Sequence, residues 1–306
     1  YGLVFVFSMF FLLSAATNNA PQGFVAGTIF CLSPQIVFSS GTVNNDIGLA
    51  AFGTLVIASI AKGLSFPLER TFWLFIGSVS AGLAVWMKAS GAAYLPAVFI
   101  VALMEVLRRN WRSVFAAVVP CSALVIAGMY SNFMRFGSLF PQLPTGWDSE
   151  GKTSIGRLFD EPWWIVSTWG SFWAKFGWFN LPLPKATYLW FLLPSASIIV
   201  GVLAMAHQSR TNRKLLALLL TIVVTNLLLF TVYLTQVDWQ PQGRYLFPSI
   251  GAFSVFCAIG LKSMTRIVPE RLRVSTTVAV CFSAGAVCFY SIWFIWQNYM
   301  KWSTIM

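Results

Sequence analysis

Several polar residues of this sequence stand where long apolar runs begin or end, and their types suit the binding of a phosphate group. Arg244 and Tyr245 follow Gln242 in the stretch QPQGRYLFP, immediately before an apolar run. The planar guanidinium group of arginine binds phosphate through two parallel hydrogen bonds, and the first turn of a helix adds free N–H groups. The stretch therefore predicts a phosphate site formed by Arg244, Tyr245 and Gln242. The alternative is a local ion pair between Asp238 and Arg244, of at most about 1 kcal/mol when exposed.

Two other charged residues occupy similar positions. Asp46 follows Asn45 at the start of one apolar run, and Lys88 closes the next run. We predict that Asp46, with Asn45, positions an acceptor or holds a divalent metal ion; the alternative is a simple helix N-cap. We predict that Lys88 contacts a lipid phosphate; the alternative is a lysine that keeps its ammonium group in water. Because charges near membrane depth are costly, we expect Asp46, Lys88 and Arg244 to line one polar pocket.

An aromatic segment lies between the runs that carry these residues. Residues 131–186 are too long for a simple connection, and tryptophans stand at positions 163, 164, 169, 173 and 178. Tryptophan prefers the headgroup level of a bilayer, so we predict one or two interfacial helices over residues 155–180, with all five tryptophans near that level. The alternative is a plain aromatic belt. The more specific prediction is a lid over a lipid-facing cavity, formed by Trp163, Trp164 and Lys175.

The elements that position these residues are predicted to be membrane-spanning helices. The sequence is 58% hydrophobic and only 9% charged, which is typical of a polytopic membrane protein. Helices are favoured because lipid leaves no partner for unpaired backbone groups, and the runs do not alternate as barrel strands do. The fold class is therefore an all-α transmembrane bundle of about ten spans. The apolar runs are 2–16, 23–40, 46–61, 71–87, 92–107, 113–130, 187–206, 215–234, 246–261 and 274–298.

The distribution of charge predicts the orientation and the division of the chain. Basic residues cluster in alternate short connections, which the positive-inside rule assigns to the cytoplasm. These residues are Lys62, Arg70, Arg108, Arg109, Arg112, Arg210, Arg213, Lys214, Lys262, Arg266, Arg271 and Arg273. Asp46, Lys88 and Arg244 then share the extracytoplasmic face. We divide the chain into six spans within 1–130, the extracytoplasmic aromatic loop 131–186, and four spans within 187–306.

Other classes of protein are disfavoured by what the sequence lacks. The net charge of +11 is spread over membrane-orienting clusters, so we predict no nucleic-acid partner. No phosphate-binding glycine loop is present, and the five cysteines lie inside apolar runs rather than in zinc or disulfide spacing. Ionisable residues are almost missing within the runs, which argues against a proton-coupled pump.

Four segments resemble the GT-C glycosyltransferases, integral-membrane enzymes that use polyprenyl-phosphate sugars. GRYLFP resembles their RY-x-x-P signature, in the GRY-x-x-P form of one bacterial branch. SPQIVFSSGTVNND is similar to the segment of that branch that ends in Asn-x-Asp and to the acid that opens the fourth helix of the module. MKASGAAYLP resembles its T-K-x-x-x-x-x-x-x-P element, and SFWAKFGWFNLPLP its SFW-x-x-FGW-x-N-x-P-L-P element. Together these segments span residues 34–248 in the family's order.

The resemblance implies transfer of a hexose or pentose from a polyprenyl-phosphate donor to an extracytoplasmic acceptor, in a bacterial inner membrane. Arg244 and Lys88 would stabilise the charge of the departing phosphate, and Asp46 would orient the acceptor or hold a divalent metal ion. The first run corresponds to the family's second helix, so we expect the first helix, its loop and the catalytic Asp upstream of Tyr1.

Two other functions remain open. The chain is alternatively a catalytically silent membrane subunit beside a larger protein partner, or a transporter of lipid or solute. The expected ligands are the lipid-linked sugar and membrane lipids.

Overall fold

The computed structural model describes residues 1–18, 20–42, 44–139, 155–176, 181–207, 210–236 and 239–303, and these are almost entirely helical. The helices of the first half are α1 Gly2–Thr17, α2 Pro21–Cys31, α3 Pro34–Gly41, α4 Asp46–Ser65, α5 Arg70–Met87, α6 Leu95–Leu107 and α7 Trp111–Phe136. Those of the second half are α8 Arg157–Asp160, α9 Trp163–Ala174, α10 Lys185–Tyr188, α11 Leu192–Ala206, α12 Arg210–Gln236, α13 Ile250–Met264 and α14 Glu270–Ser303. Short 3-10 helices cover Pro67–Glu69, Ala89–Tyr94 and Gly243–Ser249.

The helices confirm an all-α polytopic bundle. Within the described residues, eight helical segments are long and apolar enough to cross a membrane. The run predicted as a single span over 23–40 is instead broken: α2 and α3 meet at 54°, where Pro34 begins the second helix. This bent pair would form a ninth span. Helix α1 has 16 residues, below the roughly 17–25 that a span usually needs.

Burial separates the central helices from the peripheral ones. Of the most apolar stretch in α4, and likewise in the segment Gly243–Met264, 78% of residues are buried, against 17% in α7 and α14. A helix that is apolar on every side needs either other protein or lipid around it. The centre is therefore formed by α4 and α13, whereas α7 and α14 turn most of their surface outwards.

Helix α9 is only partly exposed, although the aromatic pattern predicted a helix that lies on the surface. Its first residue, Trp163, is half exposed, but Phe172, Trp173 and Ala174 are buried. The Trp173 ring stacks on Phe191 with centroids 5.1 Å apart. Trp173 is therefore covered by other helices, because α9 enters the core at its C-terminal end. Its depth in the membrane stays a prediction. Trp178 lies outside the described residues.

A two-stranded hairpin follows α9. Strand β1, Lys175–Phe176, pairs antiparallel with β2, Leu181–Pro182. Phe176 is buried and packs against Phe38 of α3, with ring centroids 5.3 Å apart. The hairpin thus anchors the chain to the bent pair before α10 and α11 begin.

One end of the bundle is joined by a buried carboxylate. Glu105, 1% exposed, accepts hydrogen bonds from Arg108 and from Asn110 Nδ2, the latter at 3.0 Å. Arg70 Nη1 lies 3.7 Å from the same carboxylate. Glu105 therefore connects the ends of α5, α6 and α7. We call this the basic end, since it carries Arg70 and Arg108, and we call the opposite end, where α4 begins, the Asp46 end.

Candidate functional site

Backbone contacts at the start of α4 leave the Asp46 carboxylate free for other partners. The backbone N–H of Asp46 donates to Asn44 Oδ1 at 2.8 Å, so the neighbouring amide satisfies one free N–H of the helix. Asn45 Nδ2 donates to the Met87 carbonyl oxygen at 2.7 Å and ties α4 to the end of α5. Asp46 is therefore not the capping residue of its own helix.

Lys88 is the direct partner of Asp46. Its Nζ donates to Asp46 Oδ1 at 2.6 Å. Asp46 is 3% exposed, and Lys88 is 24% exposed. Asp46 begins α4 and Lys88 ends α5, so each charge has the sign that its helix dipole favours. Two antiparallel neighbours thus bring together residues 42 positions apart.

Arg244 approaches the other oxygen of the same carboxylate. Its Nε lies 4.0 Å from Asp46 Oδ2, which is too long for a hydrogen bond. This Nε is buried and has no hydrogen-bond partner among the described residues. The side chain as a whole is 34% exposed, so part of it is open to a ligand. Asp238, the alternative partner, lies outside the described residues.

Gly243 fixes where Arg244 stands. Its backbone N–H donates to Ser171 Oγ at 2.7 Å. A Cβ at this position would lie 2.0 Å from the backbone nitrogen of Phe172, so only glycine permits this approach to α9. Gly243, which directly precedes Arg244, therefore rests on the buried half of α9.

Tyr245 lies beside both cations. Lys88 Nζ is 4.8 Å from the centre of its ring, and the Arg244 guanidinium carbon is 5.6 Å away. Both distances fall within the range of cation–π attraction. The hydroxyl groups of Tyr245 and Tyr233 are 2.8 Å apart, which fixes the ring between α12 and the cations. Gln242 is also close: its Nε2 donates to Gln240 Oε1 at 2.5 Å, and its own Oε1 is buried without a hydrogen-bond partner in the described chain.

The three residues predicted as a lid do not all lie together in the structure. Trp164 packs in a small apolar cluster with Tyr245, and its Nε1 donates to the Leu158 carbonyl oxygen at 2.9 Å. Trp163 donates to Glu161 at 2.9 Å and meets Trp239 edge-on, with ring centroids 6.4 Å apart. Lys175 follows the other end of α9, about 17 Å along the helix axis, so it does not join them.

The cluster of Asp46, Lys88, Arg244 and Tyr245, which we call the charged cluster, has one more cation than anion. It therefore favours an anionic ligand. A metal ion would find one carboxylate in the cluster, that of Asp46, whose Oδ1 is already bonded to Lys88. Across the described residues, no group of three or more His, Cys, Asp or Glu side chains is placed so that it could hold a metal ion.

Sequence reasoning did not identify two supporting residues: Ser171, which holds Gly243, and Tyr233, which bonds to Tyr245. Asn44 accepts from the Asp46 N–H, in agreement with the capping alternative at the start of α4, because amide side chains accept from free N–H groups at helix starts. Ser171 and Tyr233 are 72 and 12 positions from their partners, and no spacing rule links them.

A protein-family model described as "Predicted membrane protein (DUF2142)" matches residues 1–253 and so includes the whole charged cluster. No curated protein and no solved structure matches the chain.

Proposed function

The chain belongs to the DUF2142 family of predicted membrane proteins. From the charged cluster at one end of its helices, we propose that it acts as a membrane glycosyltransferase with a polyprenyl-phosphate-linked sugar as donor. The site is the charged cluster, at the end of the bundle that the charge pattern predicts to be extracytoplasmic. The resemblance to the GT-C enzymes implies that the membrane is a bacterial inner membrane. The fold supplies a membrane setting, and the cluster supplies a receptor for an anionic headgroup.

The observation that supports the proposal most is the Nε of Arg244, which has no hydrogen-bond partner among the described residues. A buried N–H without a partner is costly, so the position favours a ligand that accepts from it. Phosphate oxygens accept two parallel bonds from one guanidinium group. Lys88 stands beside the same tyrosine ring and adds a second positive charge.

In the proposed sugar transfer, the two cations lie beside the departing phosphate. An acceptor hydroxyl oxygen attacks the anomeric carbon of the sugar, and the bond between that carbon and the phosphate oxygen breaks. The bonding electrons leave with the polyprenyl phosphate, and the hydroxyl proton passes to a base. Arg244 and Lys88 stabilise the negative charge on the departing phosphate, as preorganised cations do in other group transfers.

Asp46 holds the two cations in this arrangement. Its Oδ1 is already bonded to Lys88, and its burial leaves little access for an acceptor. We therefore assign it a positioning role. The base is not assigned to any residue of the charged cluster.

The test is donor binding and sugar transfer by the full-length protein in lipid nanodiscs, with a polyprenyl monophosphate as the binding probe. Arg244→Lys keeps the charge but loses the planar fork, which removes one charged hydrogen bond. Such a bond contributes about 1.5–3 kcal/mol, so the affinity should fall roughly tenfold to a hundredfold. Arg112→Lys, at an exposed position near the basic end, is the matched control and should bind normally.

Unchanged polyprenyl-phosphate binding by Arg244→Lys would exclude the phosphate role. Normal binding without any transfer of sugar would favour the silent membrane subunit over the enzyme. Movement of the lipid across the nanodisc, again without transfer, would favour the transporter.

A further inference from the structure

The basic end of the bundle contains a second region suited to an anion. Helices α11 and α13 touch closely at Gly201 and Gly260, where an added Cβ would lie 1.8 Å from a carbonyl oxygen of the opposite helix. Beyond this contact, the last two turns of α11 and the end of α13 leave a cavity of about 640 Å³ between them. It is lined by Val200, Leu203, Ala204, His207, Ile259, Lys262, Ser263 and Arg266.

The cavity has an apolar wall and a cationic opening. The wall consists of aliphatic side chains from both helices, whereas the residues nearest the two helix ends are His207, Lys262 and Arg266. Lys262 and Arg266 are exposed, and neither has an acidic partner within ion-pair distance among the described residues. His207 Nδ1 donates to the Leu203 carbonyl oxygen at 2.9 Å, which leaves Nε2 available.

A structural role alone accounts for only part of this arrangement. Lys262 lies in the last turn of α13, where a cation complements the helix dipole. That role needs no cavity, and it does not explain why His207 of a different helix stands at the same opening. Two unpaired cations above an apolar recess instead match the form of an anionic lipid, with its charged headgroup and acyl chains.

We propose that this cavity binds the phosphate headgroup of an anionic phospholipid from the leaflet at the basic end. Lys262 and Arg266 bind the phosphate, and His207 lies at the same opening. The acyl chains leave along Leu203, which lines the cavity and is 61% exposed on the outer surface of α11. A free phosphate shares the headgroup chemistry but has no use for this apolar wall. Basic recesses between membrane helices are known to hold lipid headgroups in this way.

The experiment measures lipid retention by the purified full-length chain in neutral detergent, by native mass spectrometry. Phosphatidylglycerol and phosphatidylcholine are the lipid probes, and inorganic phosphate is the competitor. Phosphatidylglycerol should be retained in preference to phosphatidylcholine. The double variant Lys262→Gln with Arg266→Gln should retain it at least tenfold less.

Two further variants separate the headgroup from the acyl chains and from general charge. Arg112→Gln with Arg271→Gln removes the same charge from exposed positions at the same end, outside the cavity, and should retain phosphatidylglycerol normally. Ala204→Phe adds bulk to the apolar wall without changing charge, and should also lower retention severalfold.

Equal retention by the wild-type chain and the Lys262/Arg266 double variant would overturn the site. So would an equal loss in the Arg112/Arg271 control, since general charge would then explain the binding. Complete displacement by millimolar inorganic phosphate, with no effect of Ala204→Phe, would show a free-anion site and reject the lipid.

Discussion

The charged cluster predicts an unusual ranking of two variants. Lys88→Met leaves the Asp46 carboxylate buried at 3% exposure, with only Arg244 at 4.0 Å and no hydrogen bond to a cation. Asp46→Asn leaves two cations without their anion, but Lys88 and Arg244 are 24% and 34% exposed and reach water more readily. Lys88→Met should therefore destabilise the protein more than Asp46→Asn does.

The magnitudes follow from burial. Two unit charges 4 Å apart attract by about 4 kcal/mol at an effective dielectric constant of 20, and exposure lowers this value. Removing one partner of a buried pair costs about 3–5 kcal/mol, because the other charge stays desolvated. We expect about 3 kcal/mol for Lys88→Met, where Arg244 offsets part of the loss. We expect about 1–2 kcal/mol for Asp46→Asn, with its remaining charges partly hydrated.

The assay is unfolding in mixed micelles by increasing detergent denaturant, followed by tryptophan fluorescence. The double variant Asp46→Asn with Lys88→Met is the essential control, since it removes both charges of the 2.6 Å pair. It should be more stable than Lys88→Met alone, giving a coupling free energy of at least about 1 kcal/mol. Strictly additive free energies, or a smaller loss for Lys88→Met than for Asp46→Asn, would refute the reasoning.

Three other positions give independent tests. Gly243→Ala should reduce polyprenyl-phosphate binding at least tenfold, because its Cβ would displace the backbone before Arg244, whereas Gly285→Ala meets no atom within 4 Å and should bind normally. Glu105→Gln should lower the free energy of unfolding by about 1.5–3 kcal/mol in the same micelle assay, the value of one charged hydrogen bond. The hydrogen bond from Arg157 lowers the pKa of Glu161, so their contact persists at neutral pH and is lost as the pH falls through that lowered pKa. A carboxyl NMR titration should show that Arg157→Gln raises the pKa of Glu161.

The sequence predicted the helical architecture well because membrane spans carry a strong local signal. Nine of the ten apolar runs each correspond to one helical segment, although the first of these, α1, is shorter than a usual span. The run over 23–40 is broken into two helices. There, Ser33 and Pro34 break the helix, and the Ser33 hydroxyl donates to the Trp173 carbonyl oxygen at 3.5 Å. Pro34 is itself a local signal for such a break, whereas the contact with α9, 140 positions away, could not be read from the sequence.

The candidate site was predictable in part, because an unpaired charge near membrane depth is unfavourable in free energy. The sequence did not indicate any particular contact. Asp46, Lys88 and Arg244 each stood at a run boundary, and the expense of an unpaired charge there implied a shared environment. The sequence could not show that Lys88, rather than Arg244, is bonded to Asp46. Nor could it show that Tyr245 lies beside both cations, since that depends on how the 3-10 helix Gly243–Ser249 packs against α12.

The burial of one end of α9 explains how the aromatic segment supports the charged cluster. A helix lying only on the surface could cover the charged cluster but could not fix its position. Trp173 is buried and stacked at one end of α9, and Trp164 near the other end meets Phe230 in the apolar cluster that includes Tyr245. Helix α9 is therefore held at two points. Ser171 then presents its hydroxyl oxygen to Gly243 from the rigid part of the helix. The backbone before Arg244 is thus fixed by the protein core, which would lower the ordering cost of the phosphate binding that we propose.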